Sequence, residues 1–94
     1  TQVANPSQSQ IDTLANLYQS GQMAKTESFC RELLQSHPQS LIVINVLGAA
    51  LKDQGKLKDA IQAFSKVIQL KPDYIEAYYN RGVVLQELGQ LDKA

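Results

Sequence analysis

Tryptophan is absent from this sequence, and cysteine and histidine occur once each, as Cys30 and His37. A single thiol excludes an internal disulfide, and one thiol with one imidazole cannot build a zinc site from this chain alone. Nine basic and nine acidic residues cancel, so no excess of one sign draws the chain to nucleic acid or to an anionic membrane. The most apolar stretch, LIVINVLGAAL at 41–51, has about half the length of a bilayer-spanning helix. It lies mid-chain, which excludes a secretion signal as well. The expected location is therefore the cytoplasm. Thr1 rather than Met opens the sequence, so the expectation is a piece of a longer chain, with TQVANPSQSQ as a polar, fraying start.

What is present is repetition. Gly21, Gly55 and Gly89 are spaced by 34 residues, and they open the phrases GQMAKT, GKLKDA and GQLDKA. The same step relates Leu17, Leu51 and Leu85, then Met23, Leu57 and Leu91, then Pro38 and Pro72. Cys30 and Phe64, Leu33 and Val67, and Leu34 and Ile68 follow it too. Agreement at so many positions is the mark of a repeat array.

Within one period the apolar spacing is helical. Leu57, Ala60, Ile61, Phe64, Val67 and Ile68 fall three or four residues apart, as do Ile44, Gly48 and Leu51 and then Tyr78, Gly82 and Leu85. Each glycine of the 21/55/89 set stands between two such stripes, where a helix end favours positive φ. Pro38 and Pro72 close the second stripe, since proline cannot continue a helix. Ser40 is an expected N-cap, and Asp73 with Glu76 three residues on reads as a capping box. LIVINV taken alone has strand character, but the register places it on a helix touching neighbours on both sides. The pattern predicts helices near 7–20, 23–36, 41–54, 57–70 and 74–88, an all-α solenoid of helical hairpins.

These residues resemble the tetratricopeptide repeat (TPR) family. Ile44, Leu47-Gly48, Leu51, Ala60, Phe64, Val67 and Pro72 match its pattern in one unit, and Tyr78, Gly82, Leu85 and Ala94 match it in the next. The resemblance implies a polar tail at 1–6, a divergent unit at 7–40, a full unit at 41–74, and a third at 75–94 that stops after its first helix. In the divergent unit Leu14 stands where Gly48 stands, Thr26 where Ala60 stands, and Cys30 where Phe64 stands. A large residue in place of glycine implies a wider or differently angled first helix pair. Arg81 replaces the leucine seen at Leu47, which would bring solvent to the third contact.

Little in the chain is arranged for catalysis. Cys30 and His37 share a helix face, the minimum for a thiolate–imidazole pair, but no third group orients the base. Cys30 sits in a core slot, where cysteine acts as a small hydrophobe, and His37 suits a helix C-terminus. The lysines at 52, 56, 58, 66 and 71 are interrupted by Asp53 and Asp59 and lack interleaved aromatics, so they read as a solvated face. The expectation is a non-enzyme with no cofactor, no metal, no nucleic acid and no membrane, whose partner is a protein or peptide.

In stacked hairpins the first helix of each lines the concave side, and the resemblance implies that peptides bind there. Helical-wheel positions opposite the core select Ile11, Ala15 and Tyr18, then Ile42, Asn45, Ala49 and Lys52, then Tyr79, Asn80 and Val83. Gln8, Asp12, Gln19, Asp53, Glu76 and Gln86 flank them. Asn45 and Asn80 can both donate to and accept from a peptide backbone. The chaperone-tail clamp known in the family is not matched, because its positions carry Ile11, Ala15, Asn45, Val46 and Glu76. A competing expectation is a recruitment or oligomerisation module at the N-terminus of a larger bacterial enzyme, such as a glycosyltransferase- or sulfotransferase-like protein. Tyr78, Gly82 and Leu85 form an apolar strip on the last helix, with self-association through that end as the expected consequence.

Overall fold

The computed structural model describes residues 5–93, with side chains described through Leu91. Five helices follow one another: α1 (Gln8–Gln19), α2 (Met23–Ser36), α3 (Leu41–Asp53), α4 (Leu57–Leu70) and α5 (Ile75–Lys93). Among the described residues there is no strand. Each helix packs on the next, and α3 also touches α5, so the helices stack as a short solenoid. No helix among the described residues is long and apolar enough to cross a membrane.

Backbone chemistry fixes the turns. Gly21 and Gly55 adopt φ of 78° and 79°, a region that costs glycine alone nothing. Around each, the two hydrogen bonds of a Schellman motif close the preceding helix. Gln22 N–H donates to Leu17 O at 3.1 Å and Gly21 N–H to Tyr18 O at 3.1 Å. One repeat later Lys56 N–H reaches Leu51 O and Gly55 N–H reaches Lys52 O, both at 2.9 Å. The longer connections match as well, with His37 N–H on Leu33 O at 2.9 Å and Lys71 N–H on Val67 O at 2.8 Å.

Helix starts differ more. Ser7 and Gln10 form a reciprocal capping box on α1, a Ser-x-x-Gln pattern that the sequence reading passed over. Asn5 and Pro6 do not fray: Pro6 is buried, and the Ser40 hydroxyl donates to Asn5 Oδ1 at 2.8 Å. Residues 1–4 lie outside the described residues. Ser40 caps α3 as expected, accepting from Val43 N–H. Asp73, the expected cap of α5, instead lies in the turn with Pro72, and Tyr74 immediately precedes the helix. Tyr74 is the residue one 34-step from Ser40, so the repeat register overrode the local capping pattern.

The main departure is at Gly89. Rather than opening a third turn, it lies inside α5, which continues to Lys93. A glycine permits a turn without imposing one. At Gly21 and Gly55 the reversed chain becomes a helix of fourteen residues that packs back on its predecessor. At Gly89 no reversal occurs and the backbone ladder of α5 continues through it. Ala94, matched above to the third unit, lies outside the described residues.

The core is concentrated in α3 and α4. Val43, Ile44, Leu47, Ala50 and Leu51 meet Leu57, Ala60, Ala63, Phe64 and Val67, all buried. From the outer helices come Leu14, and then Ala77 and Val84. Phe64 lies against Gly48 so closely that a Cβ built there would stand 2.6 Å from the ring's Cε1.

Candidate functional site

The inner side of the stack holds a cleft of about 420 Å³ walled by α1, α3 and α5, with Phe64 of α4 reaching its floor. Seven of the ten selected groove residues line it: Tyr18, Asn45, Ala49, Lys52, Tyr79, Asn80 and Val83. Val46, Asp53 and Glu76 complete the lining. Ile11, Ala15 and Ile42 do not reach it. Ile11 and Ala15 lie in the first two-thirds of α1, and of the three α1 residues only Tyr18, in that helix's last turn, meets the α3 wall. Ile42 sits on the first turn of α3 and is exposed at 39 %.

The cleft is small-floored and polar-walled. Ala49 and Val83 keep it open, while Tyr79, 72 % exposed, stands at its rim. Lys52 is held at 3.6 Å from Asp53 and 4.0 Å from Glu87, so its charge is already met by carboxylates. Glu76 lies beside Tyr74, whose phenol is pushed up by burial and by that neighbouring carboxylate. Asn45 carries the most distinctive feature. Its Oδ1 is buried and has no hydrogen-bond partner among the described residues. A buried acceptor left unpaired costs about 1–3 kcal/mol, and it sits in the wall of the cleft.

Away from the cleft, sequence reasoning missed a clasp. Glu27 of α2 accepts from Lys56 Nζ at 2.9 Å, Gln54 Nε2 at 3.0 Å and Arg31 Nε at 3.0 Å. The Lys56 bond, helped by Gln54 and Arg31, holds the Glu27 carboxyl at about 2 against the burial that opposes ionisation. The clasp ties α2 to the α3–α4 turn. Lys56 is thus not part of a solvated lysine face, and nothing in the local sequence announces its partner 29 residues away.

The residues considered for catalysis are placed differently. Cys30 is buried and burial pushes its thiol up to about 12, far from a reactive thiolate. His37 is the C-cap of α2. No group of three or more metal-ligating side chains occurs among the described residues. Arg81, set in place of a leucine, donates to Ser65 Oγ at 3.3 Å and lies 5.6 Å from the Tyr78 ring centre. Tyr78, Gly82 and Leu85 are exposed, the two large side chains at 43 % and 49 %.

Comparison with known proteins agrees with this architecture. A family model described as TPR repeat matches residues 48–89. The peroxisomal targeting signal receptor of Kluyveromyces lactis is 32% identical over 72 residues, which is 77% of this chain and 13% of the receptor. The probable UDP-N-acetylglucosamine–peptide N-acetylglucosaminyltransferase SPINDLY of Hordeum vulgare is 42% identical over 53 residues, 56% of this chain and 6% of that protein. Protein FlbA of Caulobacter vibrioides is 31% identical over 61 residues, 65% of this chain and 10% of FlbA. The chain thus spans a small fraction of the length of each relative. No solved structure matches it. With five helices in 34-residue register, glycine-closed turns and the match at 48–89, the chain belongs to the tetratricopeptide repeat family.

Proposed function

We propose that this chain is a protein-interaction module of the cytoplasm whose cleft between α1, α3 and α5 binds an extended segment of a partner protein. Asn45 carries the reading. Its side-chain amide belongs to the cleft wall, and turning it outward would exchange a buried, unpaired Oδ1 for a bond from a peptide N–H of the incoming backbone. Asn80 offers a second amide across the cleft, and Tyr18 and Tyr79 supply broad surfaces at low conformational cost. Ile11, Ala15 and Ile42 are left to the approaches of the groove rather than its centre. The relatives include a receptor for a targeting signal by name, which fits a role in recognising peptide segments.

The test is selection from a random peptide library displayed on phage, followed by titration of the recovered peptides against variants. Asn45→Ala and Tyr79→Ala are expected to weaken binding at least about tenfold, the loss of a buried hydrogen bond or an aromatic anchor. Asn45→Ala is expected to leave the unfolding midpoint unchanged or raised, because it removes an unsatisfied acceptor. Binding that is unaffected by both substitutions would place the partner on another face. A second reading, a recruitment module within a larger enzyme, is favoured by the likeness to a transferase at 42% identity. The parent gene downstream of residue 94 decides it.

A further inference from the structure

The charges along the cleft between α1, α3 and α5 are lopsided. Asp53 and Glu76 line it, and Lys52 is the one cation in its wall among the described residues. Lys52 is already shared between Asp53 at 3.6 Å and Glu87 at 4.0 Å, so negative charge stays in excess at that end. Glu76, at the other end, stands beside Tyr74 and forms no ion pair among the described residues. Each acidic end also carries an aromatic face. Tyr79, 72 % exposed, lies one turn on from Glu76 on the same side of α5. Tyr18 of α1 is one 34-residue step from Lys52, which sets it at the Asp53 end of the lining. A carboxylate beside a tyrosine ring attracts a cation twice, by its charge and by the ring's negative face. Along α5 the two ends, Glu76 and Glu87, are separated by about 16 Å at 1.5 Å per residue.

We infer that the segment this cleft takes is cationic, an extended peptide with lysine or arginine at two positions about five residues apart. This rests on the reading of the cleft as a peptide site and adds the charge of its ligand. One basic side chain lies between the Glu76 carboxylate and the Tyr79 ring, and the other meets Asp53 and Glu87 near Tyr18. An extended chain rises about 3.3 Å per residue, so about five residues cover the distance between the two ends. Between them Asn45 and Asn80 bond the peptide backbone, and the small Ala49 lets it approach. Arginine suits the Glu76 end best, since its planar group stacks on tyrosine while it bonds a carboxylate. An acidic segment meets the opposite conditions: Glu76 repels it, and Lys52 is already committed to Asp53 and Glu87.

A random peptide library displayed on phage is panned on the unaltered chain and on the Asp53→Asn, Glu76→Gln double variant, which keeps the shapes and removes the charges. Peptides held by the unaltered chain should be enriched in lysine and arginine over the unselected library, with basic pairs about five residues apart. The double variant should select peptides without that enrichment. In titrations of one recovered peptide, Glu76→Gln should weaken binding about two- to fivefold, the range of an exposed ion pair. Raising sodium chloride from about 50 mM to about 500 mM should shrink that difference. Changing the peptide's basic residue to glutamine should cost little more once Glu76 is itself replaced. Peptides without basic enrichment that still lose affinity on Tyr79→Ala would overturn the charge preference and leave the cleft as the binding site. Peptides indifferent to both Tyr79→Ala and Asn45→Ala would overturn the cleft reading itself. Basic enrichment that persists on the double variant would overturn the assignment to Asp53 and Glu76.

Discussion

Leu14 and Cys30 occupy the two positions that Gly48 and Phe64 occupy one repeat later, with large and small side chains exchanged. The substitution of leucine for glycine alone implied a wider first helix pair. The exchange of both keeps the volume, and Leu14 and Cys30 are buried at 1 % and 0 % exposure. It follows that Gly48 and Phe64 must be read as one unit. Gly48→Ala gains about 1 kcal/mol of helix propensity, but its Cβ would stand 2.6 Å from a ring that is itself 1 % exposed and cannot swing away. The expected net effect is a loss of about 1–3 kcal/mol from overpacking. Phe64→Ala should cost about 3–5 kcal/mol from the cavity it leaves. The combination Gly48→Leu with Phe64→Cys reproduces the first repeat's pair and should cost less than the two single changes together. Urea melts of the four proteins measure that coupling directly, and additive losses would show that the two sites are independent.

At the scale of elements, the 34-residue period made four of the five helices readable nearly to the residue, including LIVINV, whose β-branched run argued for a strand. Period and stripe reflect burial, and burial decides the helix. What failed was local pattern without its partner. Asp73 with Glu76 looks like a capping box, yet α5 begins after Tyr74, and Gly89 looks like a turn, yet it is helical. The cleft shows the same limit: a wheel ranks faces correctly, and Tyr18, Asn45, Tyr79 and their neighbours do converge, but it carries no interhelical geometry and so included Ile11, Ala15 and Ile42. The Glu27 clasp was invisible for the same reason, since its lysine and glutamine come from the far turn. That clasp has a pH signature. The folded Glu27 carboxyl sits at about 2 against an ordinary 4.5, so its stabilisation is present above pH 4.5 and lost as pH falls from 4.5 towards 2. Glu27→Gln should cost about 1 kcal/mol at neutral pH, a partly exposed pair being worth little more. The difference in urea midpoint between the two proteins should shrink towards pH 3; a constant difference would mean the carboxylate's charge is not what binds the turn.

As a whole molecule, the chain is a stack in which each helix depends on its neighbours, so stability should be graded along it. The core residues of α3 and α4 pack on helices on both sides, whereas α1 contributes Leu14 to the buried core and packs chiefly on α2. At the other end, α5 buries Ala77 and Val84 against its neighbours, while Leu91, past Gly89, is 64 % exposed. Amides of α3 and α4 are therefore expected to exchange only through global unfolding. Those of α1 should exchange faster through local opening, and those after Gly89 fastest of all. Native-state hydrogen exchange at increasing denaturant checks the order. Uniform protection across all five helices would mean that the stack unfolds as one unit. The burial gradient would then be too shallow to break cooperativity in a chain of this length.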